Sequence, residues 1–402
     1  MQRGVAKPYP TVWDHPIDWS RAPASEKINV MSHRICHRCL AAALSLLVAA
    51  GCSDSPTAPE LAGSSRAQLQ AQMDSLVSLG VPGIILLVKD GSRSITLTSG
   101  VSSLTATTSM RPNDRFRIGS LTKTYLSAIV LQLVAESRVS LDDRVERWVP
   151  GAISNGGSIT IRQLLNHTSG IFDYYDDPRV LAPYFGGDFA FAWTPRQLIA
   201  IADSHGPGSS PGTVQEYSNS NYTLLGLVVE EVTGRTLSQV TQERLFAPLG
   251  LAHSTFAMDA NPDQSRARGY LLSDGDPLDV SDLFPFYWGA GNIVSDAADV
   301  ARFYAALLDG QLLPAPLLAA MKAPVAGTTH DYGFGLIRTP TPCGNAYGHD
   351  GATPGYSADV LAVGGGRVVV AFSNALTFAD SHAVNPAADT LWQRMLFLAA
   401  CG

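Results

Sequence analysis

The sequence predicts an α/β fold in which the two ends of the chain build one sheet and a mainly helical segment lies between them. Strand-like apolar runs lie near both ends, within residues 81–97 and 346–372. Helical periodicity dominates residues 194–251 and 296–308. Because strands must pair to bury their apolar face, we expect the early and late strands to share a sheet, with the helical part as an insertion.

The composition is that of a globular protein and narrows the class of partner. Of 402 residues, 46% are hydrophobic and 16% are charged, which leaves ample chain for a large core in two or three domains. The net charge is -7 and no run of Lys or Arg occurs, which argues against a nucleic-acid partner.

The first 52 residues predict a processed leader. Residues 1–30 show no periodicity and are interpreted as an upstream extension that is not part of the fold. Residues 31–52 resemble a bacterial lipoprotein signal: basic residues, then an apolar run too short to span a bilayer, then small residues before Cys52. Lipidation of Cys52 would make this an exported, periplasm-facing lipoprotein of the bacterial cell envelope. An ordinary signal peptide or a buried helix are the alternatives.

Residues 53–66, rich in Ser, Pro and Ala, predict a tether that holds the folded part off a membrane surface.

The remaining cysteines predict a disulfide. Cys36 and Cys39 fall within the signal, so Cys343 and Cys401 remain for the mature chain. In an oxidising compartment this pair favours a disulfide that ties the last helix to the C-terminal sheet.

Turn residues and periodicity place the elements in order. Asp90 and Gly91 separate two early strands as a hairpin turn does, and three glycines at 364–366 separate two late strands. The expected elements are a helix at 67–79, strands at 81–88 and 94–97, a helix over 117–135, a loop at 154–157, strands at 346–349, 357–363 and 368–372, and a closing helix at 386–398.

The segment 117–135 is the candidate centre of the fold. Apolar side chains recur at i, i+3 and i+4, and no charge occurs between Lys123 and Glu136. Gly119 permits a sharp turn into the helix, which puts Ser120 in or near its first turn. Free N–H groups and the helix dipole favour a developing anion at that position.

Ser120 and Lys123 allow two interpretations. The structural one is a capped helix with a lysine that reaches solvent. The chemical one is a serine nucleophile beside a lysine base, since a desolvated lysine can lose its proton whereas arginine cannot. Only five of the 28 Lys and Arg residues are lysines, so a lysine in this helix favours the chemical interpretation.

Two later segments add candidate groups. A turn delivers Tyr217, which can accept a proton if nearby cations lower its pKa, and Asn219, which can orient a substrate amide or the lysine. His349 and Gly351 lie near a strand end, where alternation places them on one face and Asp350 on the other. A glycine there lets the backbone approach a ligand. Alone, each segment is an ordinary loop or strand end.

Together, Ser120-x-x-Lys123, Tyr217-x-Asn219 and His349-x-Gly351 resemble the motifs of the serine β-lactamase and penicillin-binding protein superfamily. The closest branch holds class C β-lactamases, D-alanyl-D-alanine carboxypeptidases and β-lactamase-like esterases, and the resemblance covers residues 83–398. It implies a β-lactamase/transpeptidase-like fold: an antiparallel sheet flanked by helices, a mainly helical second domain, and a cleft between them. We expect the sheet domain at 67–115 and 310–402 and the helical domain, with the first two motifs, at 116–309.

The resemblance also implies a role for each site residue, with no metal and no cofactor. Ser120 would be acylated, and Lys123 and Tyr217 would handle its proton. The oxyanion hole would be the backbone N–H groups of Ser120 and Ala352, which stabilise a tetrahedral intermediate without reorganising. The expected substrate-binding residues are Asn219, His349 as a positive wall, Gly351, and Tyr174 and Tyr175 with Phe172 at the mouth of the cleft.

Departures from the family pattern bear on the substrate. His349 stands where most β-lactamases have lysine, which favours the carboxypeptidase and esterase branches, and its charge at neutral pH is partial. Asp350 would repel a substrate carboxylate if it reached the cleft. The segment 166–170 lacks the first glycine of a Gly-x-Ser-x-Gly elbow, so Ser169 is a poor rival nucleophile, and His167 is interpreted as structural.

The expected function is an exported serine hydrolase that forms an acyl-enzyme on small amide or ester substrates, including peptidoglycan-derived ones. Carboxypeptidase or esterase activity is expected before β-lactamase activity. A membrane surface, reached through the lipid anchor, is the other expected partner, and the oligomeric state is left open. The alternative from another class is a penicillin-binding sensor or scaffold that is acylated without turnover.

Overall fold

A seven-stranded antiparallel sheet is the framework of the described part of the chain. The computed structural model describes residues 63–258, 266–272, 276–284, 286–325, 331–376 and 386–402. The predicted extension, the signal with Cys52 and most of the predicted tether lie outside the described residues.

The strands of this sheet come from both ends of the chain, which confirms the predicted fold class. The order is β3-β2-β1-β12-β11-β10-β9, and Ile85 of β1 lies opposite Phe372 of β12. The described residues also form two three-stranded sheets, β13-β6-β7 and β4-β8-β5. The strands are β1 Gly83–Asp90, β2 Arg93–Ser103, β3 Thr108–Ser109, β4 Phe116–Arg117, β5 Thr255–Phe256, β6 Tyr270–Leu271, β7 Leu278–Asp279, β8 Ile293–Ser295, β9 Ile337–Thr341, β10 Gly344–Thr353, β11 Tyr356–Val363, β12 Arg367–Ser373 and β13 Ala375–Leu376.

The helices lie mainly between the two sets of sheet strands, as the periodicity predicts. They are α1 Gly63–Ser78, α2 Leu121–Ala135, α3 Val145–Trp148, α4 Ile161–Leu165, α5 Pro178–Phe185, α6 Pro195–Ser204, α7 Asn219–Thr233, α8 Leu237–Thr241, α9 Ala247–Leu249, α10 Ala297–Leu308, α11 Ala315–Lys322 and α12 Pro386–Cys401. Throughout the described ranges, no helix is both long enough and apolar enough to cross a membrane.

Helix α2 is buried on every side, as its continuous apolar sequence predicts. Ile129 and Leu133 are no more than 1% exposed, and Tyr125 stacks on Phe303 of α10 with ring centroids 3.5 Å apart. Burying an aliphatic side chain of this size stabilises the fold by about 1.5–3 kcal/mol. The first turn of α2 is therefore held in place by the core of the protein.

Strand β10 is longer than the predicted 346–349, because its backbone continues to pair with β11 after the alternation of apolar side chains ends. Gly348 and Gly351 interrupt the apolar alternation, yet β10 pairs with β11 as far as Thr353. Its pairing with β9 ends at Gly348. Beyond that point the second edge of β10 lies against the segment that leads into α2, where a Cβ on Gly351 would meet Ile118 O.

The strand alternation also places Asp350. Its side chain is 64% exposed, and it lies in register with Asp359 of β11, whose carboxylate accepts a hydrogen bond from Trp392 Nε1 of α12. Residues opposite each other on neighbouring strands share a face. Asp350 therefore lies on the face covered by α12.

Cys343 and Cys401, the pair predicted from the sequence, form a disulfide in the structure. Cys343 lies in the turn between β9 and β10, and Cys401 is the last residue of α12. The bond therefore joins the hairpin that carries His349 to the helix that covers the sheet.

Candidate active site

Ser120 lies at the beginning of α2 with its hydroxyl between two proton-carrying side chains. Gly119, at φ 53°, turns the chain into the helix, and the half-buried Ser120 makes no side-chain capping bond. Its Oγ is 3.0 Å from Lys123 Nζ and 2.8 Å from the Tyr217 hydroxyl oxygen. Both are hydrogen-bond distances. The structure thus brings the two expected proton partners onto one hydroxyl, and the capped-helix interpretation does not describe it.

Lys123 is fully buried and its ammonium is matched to three acceptors. Nζ donates to Asn219 Oδ1 at 2.8 Å, to Ala290 O at 2.9 Å and to Ser120 Oγ at 3.0 Å. Burial lowers the pKa of Lys123 to about 7, although the Asp173 carboxylate opposes that shift. Two of its acceptors are carbonyl oxygens, which only accept. A neutral amine would therefore donate its two N–H groups to these carbonyl oxygens and direct its lone pair at Ser120.

Tyr217 donates a hydrogen bond to Ser120 in this structure, and the lowered pKa that would make it a proton acceptor is not present. It precedes α7, 36% of its surface is exposed, and its hydroxyl donates to Ser120 Oγ. Lys123 Nζ lies 4.8 Å from the Tyr217 ring centroid. Burial of the hydroxyl nevertheless raises the pKa of Tyr217 well above its ordinary value. Tyr217 is therefore a phenol that donates a hydrogen bond in the resting site, and Lys123 is the group positioned to act as base.

Asp173 is a site residue that the sequence analysis missed. Its Oδ2 accepts hydrogen bonds from Asn219 N at 3.0 Å and from Asn219 Nδ2 at 2.8 Å, and its Oδ1 accepts from Tyr175 N. Because a carboxylate only accepts, this pairing fixes the amide of Asn219 with its oxygen towards Lys123. Of the two roles open to Asn219, the structure supports orientation of the lysine. The available signal was an acid inside an aromatic run, Phe172 to Tyr175.

His349 does not supply the expected positive wall. Its side chain is 1% exposed, its Nε2 lies 3.0 Å from the Tyr332 hydroxyl, and its Nδ1 lies 2.5 Å from Asp350 O. Burial, helped by the nearby charge of Lys123 and opposed by Asp350, lowers the pKa of His349 to about 4. At neutral pH His349 is thus an uncharged imidazole with both nitrogens paired.

The glycines near Ser120 bring two backbone segments together. A Cβ on Gly351 would lie 2.1 Å from Ile118 O, and one on Gly119 would lie 2.8 Å from Ala352 O. Gly351 was expected to admit a ligand, but the space it leaves is filled by the backbone of Ile118. Ser120 and Ala352 themselves stay half-buried. The close packing therefore sets the spacing between the two segments expected to form the oxyanion hole.

The aromatic residues predicted at the mouth of the cleft separate into two environments. Tyr174 is 0% exposed, so the prediction that it contacts substrate is wrong for this structure. Its ring fills the core because the 3-10 turn at 174–176 directs it inward. Tyr175 is half-buried, and its ring lies 5.4 Å from that of Tyr287. Tyr287 directly precedes the segment whose Ala290 carbonyl binds Lys123, which keeps Tyr175 next to the site.

His167 and Ser169 support the loop beneath Tyr217. His167 is buried at φ 60°, its Nδ1 accepts from Ser218 N at 3.2 Å and Asn221 Nδ2 at 3.0 Å, and its ring lies 4.4 Å from the Tyr217 ring. Ser169 Oγ donates to Asn221 Oδ1. Ser169 is 1% exposed, which makes it inaccessible to a substrate.

Within the described ranges, one group of side chains has the composition of a metal site. Ligand atoms of His253, Asp296 and Asp299 lie within 4.8 Å of one another. Asp296 also caps α10, and His253 Nδ1 lies 2.7 Å from its Oδ2. These bonds are those of a capped helix, and the three residues do not contact Ser120.

Comparisons with known proteins identify a family. A family model described as Beta-lactamase matches residues 66–391. Penicillin-binding protein 4 of Amycolatopsis lactamdurans is 33% identical over 318 residues, which are 72% of this chain and 80% of that protein. A D-aminopeptidase of Cereibacter sphaeroides is 27% identical, over 78% of this chain and 61% of that protein.

A solved structure is also similar over nearly its whole length. A D-stereospecific amidohydrolase from Streptomyces sp. is 35% identical, with a TM-score of 0.73. The match covers 80% of this chain and 96% of that one. The similarity therefore extends beyond the motifs to the fold that positions them.

Proposed function

This chain belongs to the β-lactamase family of serine hydrolases, and from that premise we propose that it hydrolyses small amides through an acyl-enzyme on Ser120. The observation that carries the proposal is the position of the Ser120 hydroxyl, 3.0 Å from Lys123 Nζ and 2.8 Å from the Tyr217 hydroxyl. A serine becomes a strong nucleophile only when a neighbouring group can take its proton.

The reaction begins when neutral Lys123 accepts the proton of Ser120 as its oxygen attacks the substrate carbonyl. The tetrahedral oxyanion is stabilised by the N–H groups of Ser120 and Ala352. Tyr217, as a phenol bonded to the same Oγ, carries a proton to the departing amine and is reprotonated from Lys123. Water then attacks the ester of Ser120, with Lys123 again as the base.

D-aminoacyl amides and D-aminoacyl peptides are the proposed substrate class, with esters as a second class. The similar D-aminopeptidase and D-stereospecific amidohydrolase support that choice. The uncharged His349 supports it as well, because a site without a cation at that position holds a substrate carboxylate weakly. We therefore expect carboxypeptidase and β-lactamase activity to be lower than activity on D-aminoacyl amides.

The test compares D-alanine p-nitroanilide with its L-enantiomer in wild type, Ser120→Ala and the control Ser75→Ala, an exposed serine of α1. We expect a preference for the D-enantiomer, a loss of at least ~10³-fold in Ser120→Ala, and activity close to wild type in Ser75→Ala. Equal activity in wild type and Ser120→Ala would refute the assignment of the nucleophile. A preference for the L-enantiomer would refute the substrate class.

A penicillin-binding sensor is the second candidate, supported by the 33% identity to a penicillin-binding protein. Intact-protein mass spectrometry with a penicillin distinguishes the two. A Ser120 adduct that clears within minutes supports an enzyme. An adduct that persists for hours, together with no hydrolysis of amides or esters, supports the sensor.

Export and a lipid anchor at Cys52 complete the proposal. The signal-like sequence at 31–52 supports export, and so does the Cys343–Cys401 disulfide, since disulfides persist in oxidising compartments. Expression in a bacterium fed a labelled fatty acid tests the anchor. We expect label on the wild type and none on Cys52→Ser. Label on neither protein would refute the lipid anchor.

A further inference from the structure

Tyr332 and His349 form a buried hydrogen-bonded pair beside the active site. Tyr332 lies in the segment before β9 and is 6% exposed, and its hydroxyl lies 3.0 Å from His349 Nε2. On the other side of the imidazole, Nδ1 lies 2.5 Å from the Asp350 carbonyl oxygen. A carbonyl only accepts, so Nδ1 carries the ring hydrogen and Nε2 carries the lone pair. Tyr332 therefore donates to Nε2, and both nitrogens of a neutral ring are occupied.

Tyr332 is held in this position from several sides. Its ring packs edge-on against His167 at 4.8 Å and against Tyr217 at 6.1 Å. Its backbone carbonyl accepts a hydrogen bond from Gln215 Nε2 at 3.1 Å. These contacts connect Tyr332 to the loop that presents Tyr217, so its hydroxyl cannot leave His349 without disturbing that loop.

We propose that Tyr332 is a specificity-determining residue, because it holds His349 as a fully paired imidazole that cannot bind a substrate carboxylate. To bind a carboxylate, His349 would have to donate a hydrogen bond from Nε2, and the Tyr332 hydroxyl occupies that position. The inference rests on the proposed function and deepens it. The enzyme selects amides whose leaving group is uncharged over peptides that end in a free carboxylate.

The charged and titratable groups around His349 agree with this assignment. Lys123 from α2 and His167 from the loop after α4 face it, and Lys123 disfavours a second positive charge nearby. Asp350, the next residue of β10, favours that charge, but its carboxylate lies 3.9 Å from Nδ1 and so cannot replace the bond at Nε2. The bond from Tyr332 is therefore the contact whose removal would free the ring.

The experiment compares two dipeptides that share the same acyl group, D-alanyl-D-alanine and D-alanyl-D-alaninamide. Chromatography follows cleavage of the internal bond in the full chain. We expect wild type to favour the amide in kcat/KM, and Tyr332→Phe to reduce that preference about tenfold, because Nε2 becomes free to take a proton and donate to the carboxylate. A wild type without preference, or an unchanged ratio in Tyr332→Phe, would overturn the inference.

Two controls separate this effect from a general loss of packing. Tyr304→Phe also removes a buried tyrosine hydroxyl, one that lies 2.8 Å from Thr124 Oγ1, and it should leave the ratio of the two substrates unchanged. In a His349→Gln background, Tyr332→Phe should have no further effect on the ratio, since the tyrosine acts through the histidine. An equal change of the ratio in that background would contradict the proposed route.

A binding measurement keeps the inference separate from the proposed function. The p-nitroanilide assay judges the proposed function. If wild type cleaves neither dipeptide, affinities can still be measured by calorimetry in Ser120→Ala. Addition of Tyr332→Phe to that variant should strengthen binding of D-alanyl-D-alanine about tenfold relative to the amide. Equal affinity ratios in the two variants would refute the role of Tyr332, whatever the activity.

Discussion

The two walls of the active site differ in which residues hold their functional groups in place. The helical wall is formed by Ser120, Lys123, Tyr217 and Asn219. The strand wall is formed by His349, Gly351 and Ala352. On the helical wall, each functional atom bonds to another functional atom: Lys123 Nζ contacts both Ser120 and Asn219. On the strand wall, His349 bonds to Tyr332 and to its own strand. The functional groups of the helical wall are therefore bonded directly to one another, with Asp173 and the Ala290 carbonyl as supports, whereas the charge state of the strand wall depends on neighbours outside its motif.

Removal of the base should have the largest effect and would sharpen this comparison. Lys123→Met keeps the length and apolar stem of the side chain but has no amine to accept the proton of Ser120. We expect kcat to fall about 10³-fold, since general-base catalysis contributes about 10²–10⁴-fold. The measurement is steady-state hydrolysis, with the thermal transition recorded to verify folding.

The matched control for this variant is Lys89→Met, on the β1 hairpin and away from Ser120. It should retain wild-type activity. If Lys123→Met kept more than a tenth of wild-type kcat, the base would have to be another group, and the bonds among the groups of the helical wall would not explain its chemistry.

On the strand wall, Gly351→Ala should have the next largest effect. The new methyl group would lie 2.1 Å from Ile118 O, so the two backbone segments must separate. We expect kcat to fall about 10²-fold as the oxyanion donors lose their spacing, and stability to fall by about 1–3 kcal/mol from overpacking. Gly364→Ala is the control, because nothing lies within 4 Å of its Cβ. Normal kcat in Gly351→Ala would show that the spacing is not critical.

Asp173→Asn tests how far the helical wall depends on a residue outside the motifs. In wild type, kcat/KM should rise with pH through about 7, because Lys123 must be neutral to act as base. The Asp173 carboxylate raises the pKa of Lys123, so its removal lowers that pKa and moves the acidic limb of the profile to lower pH.

The Asp173→Asn substitution should also lower kcat about tenfold at high pH, where Lys123 is neutral in both proteins, because an amide no longer fixes the orientation of Asn219. A full pH profile measures both effects. An acidic limb that stays in place, or moves to higher pH, would contradict the electrostatic role of Asp173.

Removal of the disulfide should have the smallest effect on activity. Cys343→Ser with Cys401→Ser should destabilise the protein by about 2–4 kcal/mol, because the bond closes a loop with a sequence separation of 58 residues. Activity at 25 °C should change less than twofold, since Cys343 lies at the far end of β10 from Ala352. Denaturant unfolding measures the first effect and hydrolysis the second. A tenfold loss of activity in the folded variant would show that the strand wall depends on the disulfide.

The sequence predicted the fold and the helical wall well, and for a physical reason. The family resemblance is confirmed, as is the sheet built from both chain ends. Ser120 and Lys123 share one helix turn, so their spacing alone brings them together. Asn219 begins the long buried helix α7 and Tyr217 lies two residues before it, so the start of that helix positions both side chains.

The charge of His349 and the hydrogen-bond partners of Asn219 could not be predicted from the sequence. Both depend on residues that are distant in the chain, Tyr332 and Asp173, and whose types are common in loops. The pKa of Tyr217 depends on how much water reaches its hydroxyl, which no local pattern encodes. Tyr174 and Tyr175 are adjacent and chemically identical, and only the turn that directs one of them inward distinguishes them.

The continuous burial of α2 from Leu121 to Leu131 has a consequence for when activity can exist. Amide hydrogens in such a segment exchange with solvent only when the surrounding core opens, so their protection approaches that of global unfolding. The nucleophile and its base belong to this last-opening unit. A partly folded chain should therefore lack hydrolytic activity altogether, and recovery of turnover during refolding would report formation of the native core itself.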